Sequence, residues 1–396
     1  MADYRLLTNE ILREAFLTHK TSRGALSRFA RDRASVHQIT GTHAVVAADL
    51  ALSLAKGHWR RLRQGHQPRA PYIRRRFLRT NASTFHFDRD SGKIRLSVRY
   101  GVWCSWYVHV APYHHTVLAA PGVRIKQLYV SSDKVVLFLE HSPPEPYTPT
   151  SLLALDTNES SLDGITVTRK ASRCVLVSFP EIQAIQARHF VRRRFLAQKK
   201  AHDRRVARRL LRKEGERERH RVRSRLHALT KRLIDVAVRH HAALALEDLG
   251  RFPVAKRAAP RTRRRLSSWP RRELHRQLEY KAQDRGVPVS FVNPYRTSTT
   301  CPRCGEHSKP RSRVGPTFTC DRCGWAMDRQ LNAGLNVGRT VLREQAELGG
   351  LRLSLDALSK DAVRPLYPFE KSNGHGRSGR RGRDSKVWSV SGPGTE

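Results

Sequence analysis

The chain has 396 residues, enough for two or three domains and at least one sizeable hydrophobic core. Its 76 Lys and Arg residues outnumber its 34 Asp and Glu residues, which gives a formal net charge of +42. A charge this large repels itself unless a polyanion neutralises it, so we expect nucleic acid as the partner. The alternatives are a basic but inert surface and a polybasic protein at a membrane surface.

Neither a leader peptide nor a membrane span is predicted. The amino terminus, "MADYRLLTNEILREAF", has no continuous apolar region of the kind that a secretory signal needs. The longest apolar run, around "HAVVAADLALSLA", is interrupted by Asp49 and is too short to cross a bilayer. We therefore expect a soluble, cytoplasmic protein.

The first 142 residues change from a helical to a strand pattern. Apolar residues at helical spacing between 8 and 65 predict a small basic helical unit. Short alternating runs from "STFHFDRDSGKIRLSVRYG" to "GVRIKQLYVSSDKVVLFLEHS" then predict a small antiparallel sheet or barrel. Trp103, Trp106 and Tyr107 on these strands could stack on nucleobases, although aromatic residues at strand spacing are also typical of a core.

A proline-rich segment separates this region from a second pattern. "PPEPYTPT", residues 143–150, holds four prolines and is predicted to be a linker. After it come three strands, a long helical region from about 182 to 242, a short buried strand, an amphipathic helix and another strand. Residues 186–232 hold nineteen Lys or Arg and four acidic residues, so this helical region offers a cationic face to a nucleic-acid backbone.

Four cysteines follow at the spacing of a metal-binding hairpin, C-x2-C-x15-C-x2-C. Cys301, Cys304, Cys320 and Cys323 are predicted to bind one Zn²⁺. Four thiolates leave no open coordination position, so this zinc is expected to be structural. Two disulfides are the alternative, which a reducing compartment disfavours. Cys104 and Cys174 stand alone and are predicted to be buried.

Three acidic residues end or follow apolar segments. Asp156 closes "LLALD", Glu247 follows "AALAL", and Asp328 precedes the apolar helix "LNAGLNVG". Each alone could be a strand end or a helix cap. Converging carboxylates, however, can hold two divalent ions ~4 Å apart for chemistry on a phosphodiester, and Mg²⁺ prefers such oxygen ligands.

The order of these motifs carries a family resemblance. "LDxNxxxLDGITV", then "LALEDL", then "VNPYRTSTTCPRCG…FTCDRCG…DRQLNAGLN", resembles the RuvC-like nuclease of the TnpB family, transposon-encoded ancestors of type V CRISPR effectors. The match covers residues 151–345, and the first 142 residues follow the family only in general layout. The resemblance implies a multi-domain α/β protein, in which an RNase H-like (RuvC) domain with an inserted zinc ribbon follows a small β-barrel with a basic helical unit.

The resemblance also implies an activity and its partners. Asp156, Glu247 and Asp328 would be catalytic and would hold two Mg²⁺, in a prokaryotic, nucleoid-associated, RNA-guided DNA endonuclease. Its partners would be a guide RNA and double-stranded target DNA, which is unwound to a single strand at the active site and recognised beside a short adjacent motif.

The motifs divide the chain into six segments, of which the last, rich in Gly, Ser and Arg, is predicted to be disordered. They are 1–142 for RNA and DNA recognition, the linker 143–150, the nuclease domain 151–293, the zinc ribbon 294–327, the third motif with a closing helix 328–365, and a basic tail 366–396.

The third acidic motif departs from the family pattern. Many relatives carry a metal-binding aspartate two residues before the Asn, where this chain has Gln330. Positions two apart on a helix point ~200° away from each other, so Asp328 replaces that residue only if the first turn is irregular. Three hypotheses stay open: an active RNA-guided nuclease, a nuclease-deficient RNA-guided DNA-binding repressor, and a general nucleic-acid scaffold suggested by the arginines alone.

Overall fold

A computed structural model describes residues 1–19, 22–198, 203–249, 259–307, 316–355, 358 and 364–365. The chain divides into two compact units, Met1–Ser142 and Pro143–Glu396. Each unit has hydrophobic clusters of its own. The predicted disordered tail lies outside the described residues. Within the described ranges, no helix combines the length and the apolarity that a membrane crossing needs.

In the first unit, helices and strands pack around one core. The elements are α1 (Ala2–Leu17), α2 (Arg23–Ala34), α3 (Gly41–Arg63), β1 (Phe77–Asn81), β2 (Phe85–Phe87), β3 (Lys93–Arg99), β4 (Val102–Tyr107), α4 (Pro112–Ala119), β5 (Arg124–Ser131) and β6 (Val135–Glu140). The strands form two three-stranded antiparallel sheets, ordered β1-β5-β6 and β2-β3-β4. Closure of these strands into a barrel stays a prediction.

The aromatic residues of β4 divide between core and surface. Trp106 packs against the core, whereas Trp103 and Tyr107 are exposed. The Arg95 guanidinium lies 5.6 Å from the Trp103 ring centroid, a distance typical of cation–π contacts. The prediction that Cys104 is buried is wrong: this residue lies on β4, an edge strand of its sheet, and is exposed.

The second unit is built on a six-stranded sheet. Its elements are β7 (Ser151–Thr157), β8 (Ser161–Thr168), β9 (Ser172–Ser178), α5 (Glu181–Gln198), α6 (Arg204–Arg239), β10 (Ala242–Glu247), α7 (Pro260–Ser268), α8 (Arg271–Gln283), β11 (Val289–Val292), β12 (Thr317–Thr319), β13 (Ala326–Asp328), α9 (Arg329–Glu344) and β14 (Arg364–Pro365). The strands of the sheet are ordered β11-β10-β7-β8-β9-β14. In it, β7, β8 and β9 form an antiparallel meander, and β10 and β11 run parallel to β7.

Helices cover both faces of this sheet. Leu153 and Leu155 of β7 join a core with α5, α6 and α8. Leu152 and Ala154 join the opposite core, which contains α9. Because successive side chains of a strand point to opposite faces, the residue after Leu155 belongs to the α9 face. That residue is Asp156.

The predicted long basic region consists of two helices, α5 and α6. His189 Nδ1 of α5 lies 2.7 Å from Glu214 Oε1 of α6, and both side chains are buried. This polar contact fixes the two helices against each other. Arg194, Arg208 and Arg209 are exposed on them, as expected of a cationic face.

Helix α9 approaches the sheet closely because glycines face each other. A Cβ atom on Gly334 would lie 2.5 Å from Gly164 Cα and 2.6 Å from the Asp163 carbonyl oxygen. Both obstacles are backbone atoms, so α9 or β8 would have to shift.

Replacing Gly334 with alanine is therefore expected to destabilise the second unit by ~1–3 kcal/mol. Gly215→Ala is the matched control, because in α6 an added Cβ meets nothing closer than Arg219 NH1 at 3.6 Å. Alanine there removes a helix-disfavouring glycine and should stabilise by up to ~1 kcal/mol. Thermal unfolding of both variants tests this prediction, and equal midpoints would contradict it.

Candidate functional site

The ends of two parallel strands bring the first two predicted acids together. Asp156 lies near the end of β7 and Glu247 ends β10. Leu155 pairs with Leu246 in the register of these strands, so the next residue of each strand lies at the same edge of the sheet. Asp156 is 8% exposed and Glu247 is 6% exposed. The sequence alone could not show this proximity, since ninety residues separate the two acids.

Burial and mutual repulsion disfavour two negative charges at this site. Burial raises the pKa of Asp156 well above its usual range, and the adjacent Glu247 carboxylate raises it further. Burial also raises the pKa of Glu247, although a hydrogen bond from Thr297 opposes this. Neither carboxylate forms an ion pair with a Lys, Arg or His in the part of the chain that the structure describes. A divalent cation would supply the missing positive charge.

A third buried carboxylate, Asp163, was not predicted as a site residue. It is 5% exposed and stands directly opposite Asp156 in the pairing of β7 with β8. Asn158 Nδ2 donates to Asp156 Oδ2 at 3.1 Å and to Asp163 Oδ2 at 2.7 Å, so one amide holds both carboxylates. The sequence does contain a signal for Asp163: it lies two and four residues before Ile165 and Val167, and strand alternation therefore places it on the same face of the sheet as these two residues, which pack with α9.

The loop before the zinc hairpin holds the second acid. Thr297 Oγ1 donates a 2.5 Å hydrogen bond to Glu247 Oε1. Asn336 Nδ2 of α9 donates to the Thr297 and Thr300 carbonyl oxygens at 2.7 and 2.8 Å, and Asn332 Nδ2 reaches Thr300 O at 3.0 Å. The sequence motif around these residues thus has a physical role in this chain: α9 fixes the loop, and the loop orients Glu247.

Asp328, the third predicted acid, lies at the start of α9. Its Oδ1 atom accepts hydrogen bonds from the backbone N–H groups of Gln330 and Leu331 at 2.8 and 3.2 Å, which is the geometry of a helix N-cap. The carboxylate is near enough to Asp163 to raise the pKa of that residue, after burial as the largest cause. Asp328 thus lies near the acidic edge formed by Asp156, Glu247 and Asp163, with one oxygen occupied in capping. Among the described residues, however, Asp156, Glu247 and Asp328 do not form a set whose carboxylate oxygens all lie within 4.8 Å of one another. The structure therefore brings the first two predicted acids together and does not bring the third within that distance of both.

The zinc ligands predicted from the spacing of the cysteines lie together. Cys301, Cys304, Cys320 and Cys323 have sulfur atoms that all lie within 4.8 Å of one another, and within the described ranges no other set of three or more His, Cys, Asp or Glu side chains does so. The Sγ atoms of Cys301 and Cys323 are 3.6 Å apart, and those of Cys304 and Cys320 are 3.5 Å apart. Tetrahedral Zn–S bonds require about 3.8 Å, so the four thiols fit zinc.

The two halves of the hairpin have matching turns. Gly305 and Gly324 have φ angles of 77° and 69°, which an L-residue rarely adopts. Their N–H groups donate to the carbonyl oxygens of Cys301 and Cys320 at 2.9 and 3.1 Å. Each turn therefore aims two thiols at one point. Beyond the second turn, β13 leads directly to Asp328, so the hairpin adjoins the acidic edge.

The basic segment after Glu247, "KRAAPRTRRRLSSWPRR", is described only in part, because residues 250–258 lie outside the described ranges. Its helix α7 contacts the loop that follows Asp156: Arg265 Nε lies 2.9 Å from Glu159 Oε1. Arg264 lies 3.7 Å from the centre of the Phe190 ring in α5. A cationic helix thus lies against α5 and against the loop that follows the first acid.

Comparison with known proteins agrees with this architecture. A family model described as "Cas12f1-like, TNB domain" matches residues 272–337. A TnpB-like protein of Methanocaldococcus jannaschii is 25% identical over 244 residues, which are 60% of this chain and 84% of that protein. The CRISPR-associated endodeoxyribonuclease Cas12f1 of an uncultured archaeon is 28% identical over 85 residues, or 20% of this chain and 16% of that protein.

A solved structure shows the fold over most of the chain. Cas12f1, in its complex with sgRNA and target DNA, aligns with a TM-score of 0.58 and 13% identity, covering 85% of this chain and 81% of that chain. The chain is thus a mixed α/β protein with the fold of a Cas12-type effector. Its predicted resemblance to the TnpB family of RuvC-like nucleases is confirmed.

Proposed function

We propose that this chain is an RNA-guided DNA endonuclease that hydrolyses phosphodiester bonds at an RNase H-like (RuvC) site with two Mg²⁺ ions. The observation that carries the proposal is the pair Asp156 and Glu247, buried side by side at adjacent strand ends with no described cation to balance them. Burying unpaired carboxylates is costly, and a site for divalent ions accounts for that cost.

The roles of the residues follow from their contacts. Asp156, Glu247 and Asp328 would hold the ions, and Asp163, which faces Asp156, adds a fourth carboxylate in a site where position 330 is an uncharged amide. When bound, the ions would activate water and stabilise charge on the phosphate. The Asn158 amide orients Asp156 and Asp163, and the Thr297 hydroxyl orients Glu247. The zinc of the four cysteines would be structural.

The proposed partners are a guide RNA and a target DNA beside a short adjacent motif. Cas12f1, whose fold this chain shares, was solved with sgRNA and target DNA. The net charge of +42 suits polyanionic partners. In the first unit, exposed Trp103 and Tyr107 lie beside Arg95 and Lys93 and offer stacking surfaces for bases. The protein would cut its target DNA at the nucleoid, in the cytoplasm of a prokaryote.

The six segments predicted from the motifs receive roles in this proposal. They are recognition by 1–142, a linker at 143–150, the nuclease domain 151–293, the zinc ribbon 294–327, the third motif with its closing helix 328–365, and the basic tail 366–396.

The test is cutting by the purified protein with the RNA that co-purifies with it. That RNA is sequenced first, and a plasmid carrying the matching target is offered with Mg²⁺ or with a chelator. We expect cutting only with Mg²⁺, and its loss in Glu247→Gln, which keeps the shape of the side chain but removes its charge. Asp133→Asn, at an exposed aspartate of the first unit, is the control. Cutting by Glu247→Gln at the parental rate would refute the site.

A nuclease-deficient RNA-guided DNA-binding repressor is the second candidate, and two observations favour it. Gln330 carries no charge, and one oxygen of Asp328 already caps α9. Asp328→Asn separates capping from metal binding, because asparagine caps helices as well as aspartate does. If the protein is a nuclease, Asp328→Asn should lose cutting while its stability stays unchanged. Tight target binding by a parent that does not cut would establish the repressor instead.

A further inference from the structure

We propose that a cationic pocket beside the candidate active site binds a backbone phosphate of the single nucleic-acid strand that enters the site, an inference that rests on the proposed function. The pocket has a volume of about 390 Å³. It is lined by the loop that follows β11, by the first zinc turn at Gly305 and by the last turns of α9. Arg296 comes from the loop, and Arg339 and Arg343 come from α9.

The pocket carries an excess of positive charge. Three arginines line it, against one carboxylate, Glu344. In the described part of the chain, none of the three has a carboxylate within ion-pair distance; Arg339 NH1 donates to the Pro302 carbonyl oxygen at 2.9 Å. Their guanidinium groups therefore remain available to an anion. The fork of donors on arginine matches the oxygens of a phosphate.

The backbone at Arg296 is held in an unusual conformation that shapes this pocket. Its φ angle is 62°, in the left-handed region that residues other than glycine rarely adopt. The N–H groups of Thr299 and Thr300 donate to its carbonyl oxygen at 3.1 and 3.0 Å, which fixes the turn. Backbone strain that the surroundings maintain is common at ligand-binding sites. Here it sets Arg296 at the pocket, next to Tyr295.

Tyr295 favours a strand over an isolated phosphate as the ligand. Its side chain is 70% exposed, and the Arg296 guanidinium lies 4.8 Å from the centre of its ring. An exposed aromatic ring beside cations can stack with a base while the cations contact the phosphate. A free phosphate ion would use the arginines alone.

The pocket and the acidic edge are joined through one loop. Thr297, the residue after Arg296, donates to Glu247 and also lines the pocket. Asn336 lines the pocket too and holds the Thr297 carbonyl oxygen at 2.7 Å. A phosphate held by the arginines is thus a neighbour of the catalytic candidates. The pocket thereby sets the position of the strand along the site.

The first test measures strand binding without chemistry. The protein with its co-purified RNA is titrated into a short fluorescein-labelled oligodeoxythymidylate in Ca²⁺, and anisotropy is read at several salt concentrations. The double variant Arg296→Gln with Arg343→Gln should bind about tenfold more weakly, with a salt slope shallower by about 1. Arg173→Gln with Arg352→Gln removes the same charge from exposed positions away from the pocket and should change binding less than twofold.

A neutral methylphosphonate linkage, moved along the oligonucleotide, then tests for a single phosphate. At one position, the neutral linkage should weaken binding by the parent protein about as much as the two arginine substitutions do. The same linkage should not further weaken binding by the double variant, because the linkage and the substitutions remove the same contact. Tyr295→Ala should weaken strand binding but leave competition by inorganic phosphate unchanged. Unfolding midpoints of all variants are compared first, and Arg343→Gln alone replaces the double variant if that one unfolds.

Three results would overturn the inference: equal binding by the pocket and control variants, no linkage position that couples to the arginines, or full displacement of the strand by inorganic phosphate with no effect of Tyr295→Ala. The proposed function fails separately. If the pocket variants behave as expected but the parent does not cut in Mg²⁺, the pocket stands and the nuclease proposal falls. If the parent cuts and the pocket variants bind normally, the nuclease proposal stands and the pocket inference falls.

Discussion

Replacing Asp156 with asparagine is expected to move activity and stability in opposite directions. Cutting should fall at least ~1,000-fold, as is usual when a group central to a catalytic site is removed. The metal-free protein should become more stable at neutral pH, because with asparagine folding no longer has to bury a charge at this position or bind a proton to neutralise it. Burial and the adjacent Glu247 carboxylate both raise the pKa of Asp156, so the unfolding midpoint of Asp156→Asn should lie above that of the parent.

The pH dependence gives this prediction a definite sign. Because the pKa of Asp156 is raised on folding, the folded protein holds a proton that the unfolded chain has already released. The contribution of Asp156 to stability is therefore full below its ordinary unfolded pKa and is lost as the pH rises through the folded value. Unfolding midpoints of the metal-free parent should fall across this window, and those of Asp156→Asn should fall less.

Divalent ions provide the complementary measurement. A ligand that binds only the folded state stabilises it, so Mg²⁺ should raise the unfolding midpoint of the parent. The same ion should have little effect on Asp156→Asn. Asp133→Asn serves as the control for both measurements, since Asp133 is exposed and belongs to the first unit. A metal-free midpoint that drops in Asp156→Asn, or an unchanged response to Mg²⁺, would contradict a metal site at this pair.

How much of this site was accessible from the sequence depends on how far apart its parts lie in the chain. The zinc hairpin is local: its four cysteines and two glycines lie within 24 residues, so their spacing alone predicts the turn geometry. Asp156 and Glu247 could be proposed because each ends an apolar strand. Their contact depends on β10 pairing with β7 in parallel, which no local pattern encodes.

The supporting residues were harder to predict for a different reason. Thr297 and Asn336 act through hydrogen bonds to partners 50 and 39 residues away, and their own neighbourhoods carry no signal of that role. Asp163 was missed although its strand alternates clearly, because a carboxylate next to a glycine also fits a turn. The structure shows that the glycine at position 164 serves packing within a strand and not a turn: an added Cβ would collide with the backbone of Ala154.

Removing Cys320, one of the four proposed zinc ligands, is expected to disorder the hairpin and, through it, the second catalytic candidate. Cys320→Ser should lose most of the bound zinc, since structural zinc sites supply ~10–16 kcal/mol of folding free energy in small domains and depend on every ligand. The loop from Thr297 to Thr300 leads into the hairpin, and Thr300 pairs with His307 inside it. Loss of the hairpin should therefore free Thr297 from Glu247 and slow cutting.

Two readouts separate this structural effect from a catalytic one. Zinc content is measured by mass spectrometry, and hydrogen exchange is followed at the Gly305 and Gly324 amides, whose bonds to Cys301 and Cys320 close the turns. Both amides should exchange at least ~100-fold faster in Cys320→Ser, because the turns no longer persist without metal. Cys104→Ser, at an exposed cysteine of the first unit, should change neither readout. Full zinc content with protected amides in Cys320→Ser would show that the hairpin folds without this ligand, and the coupling from zinc to Glu247 would then have no basis.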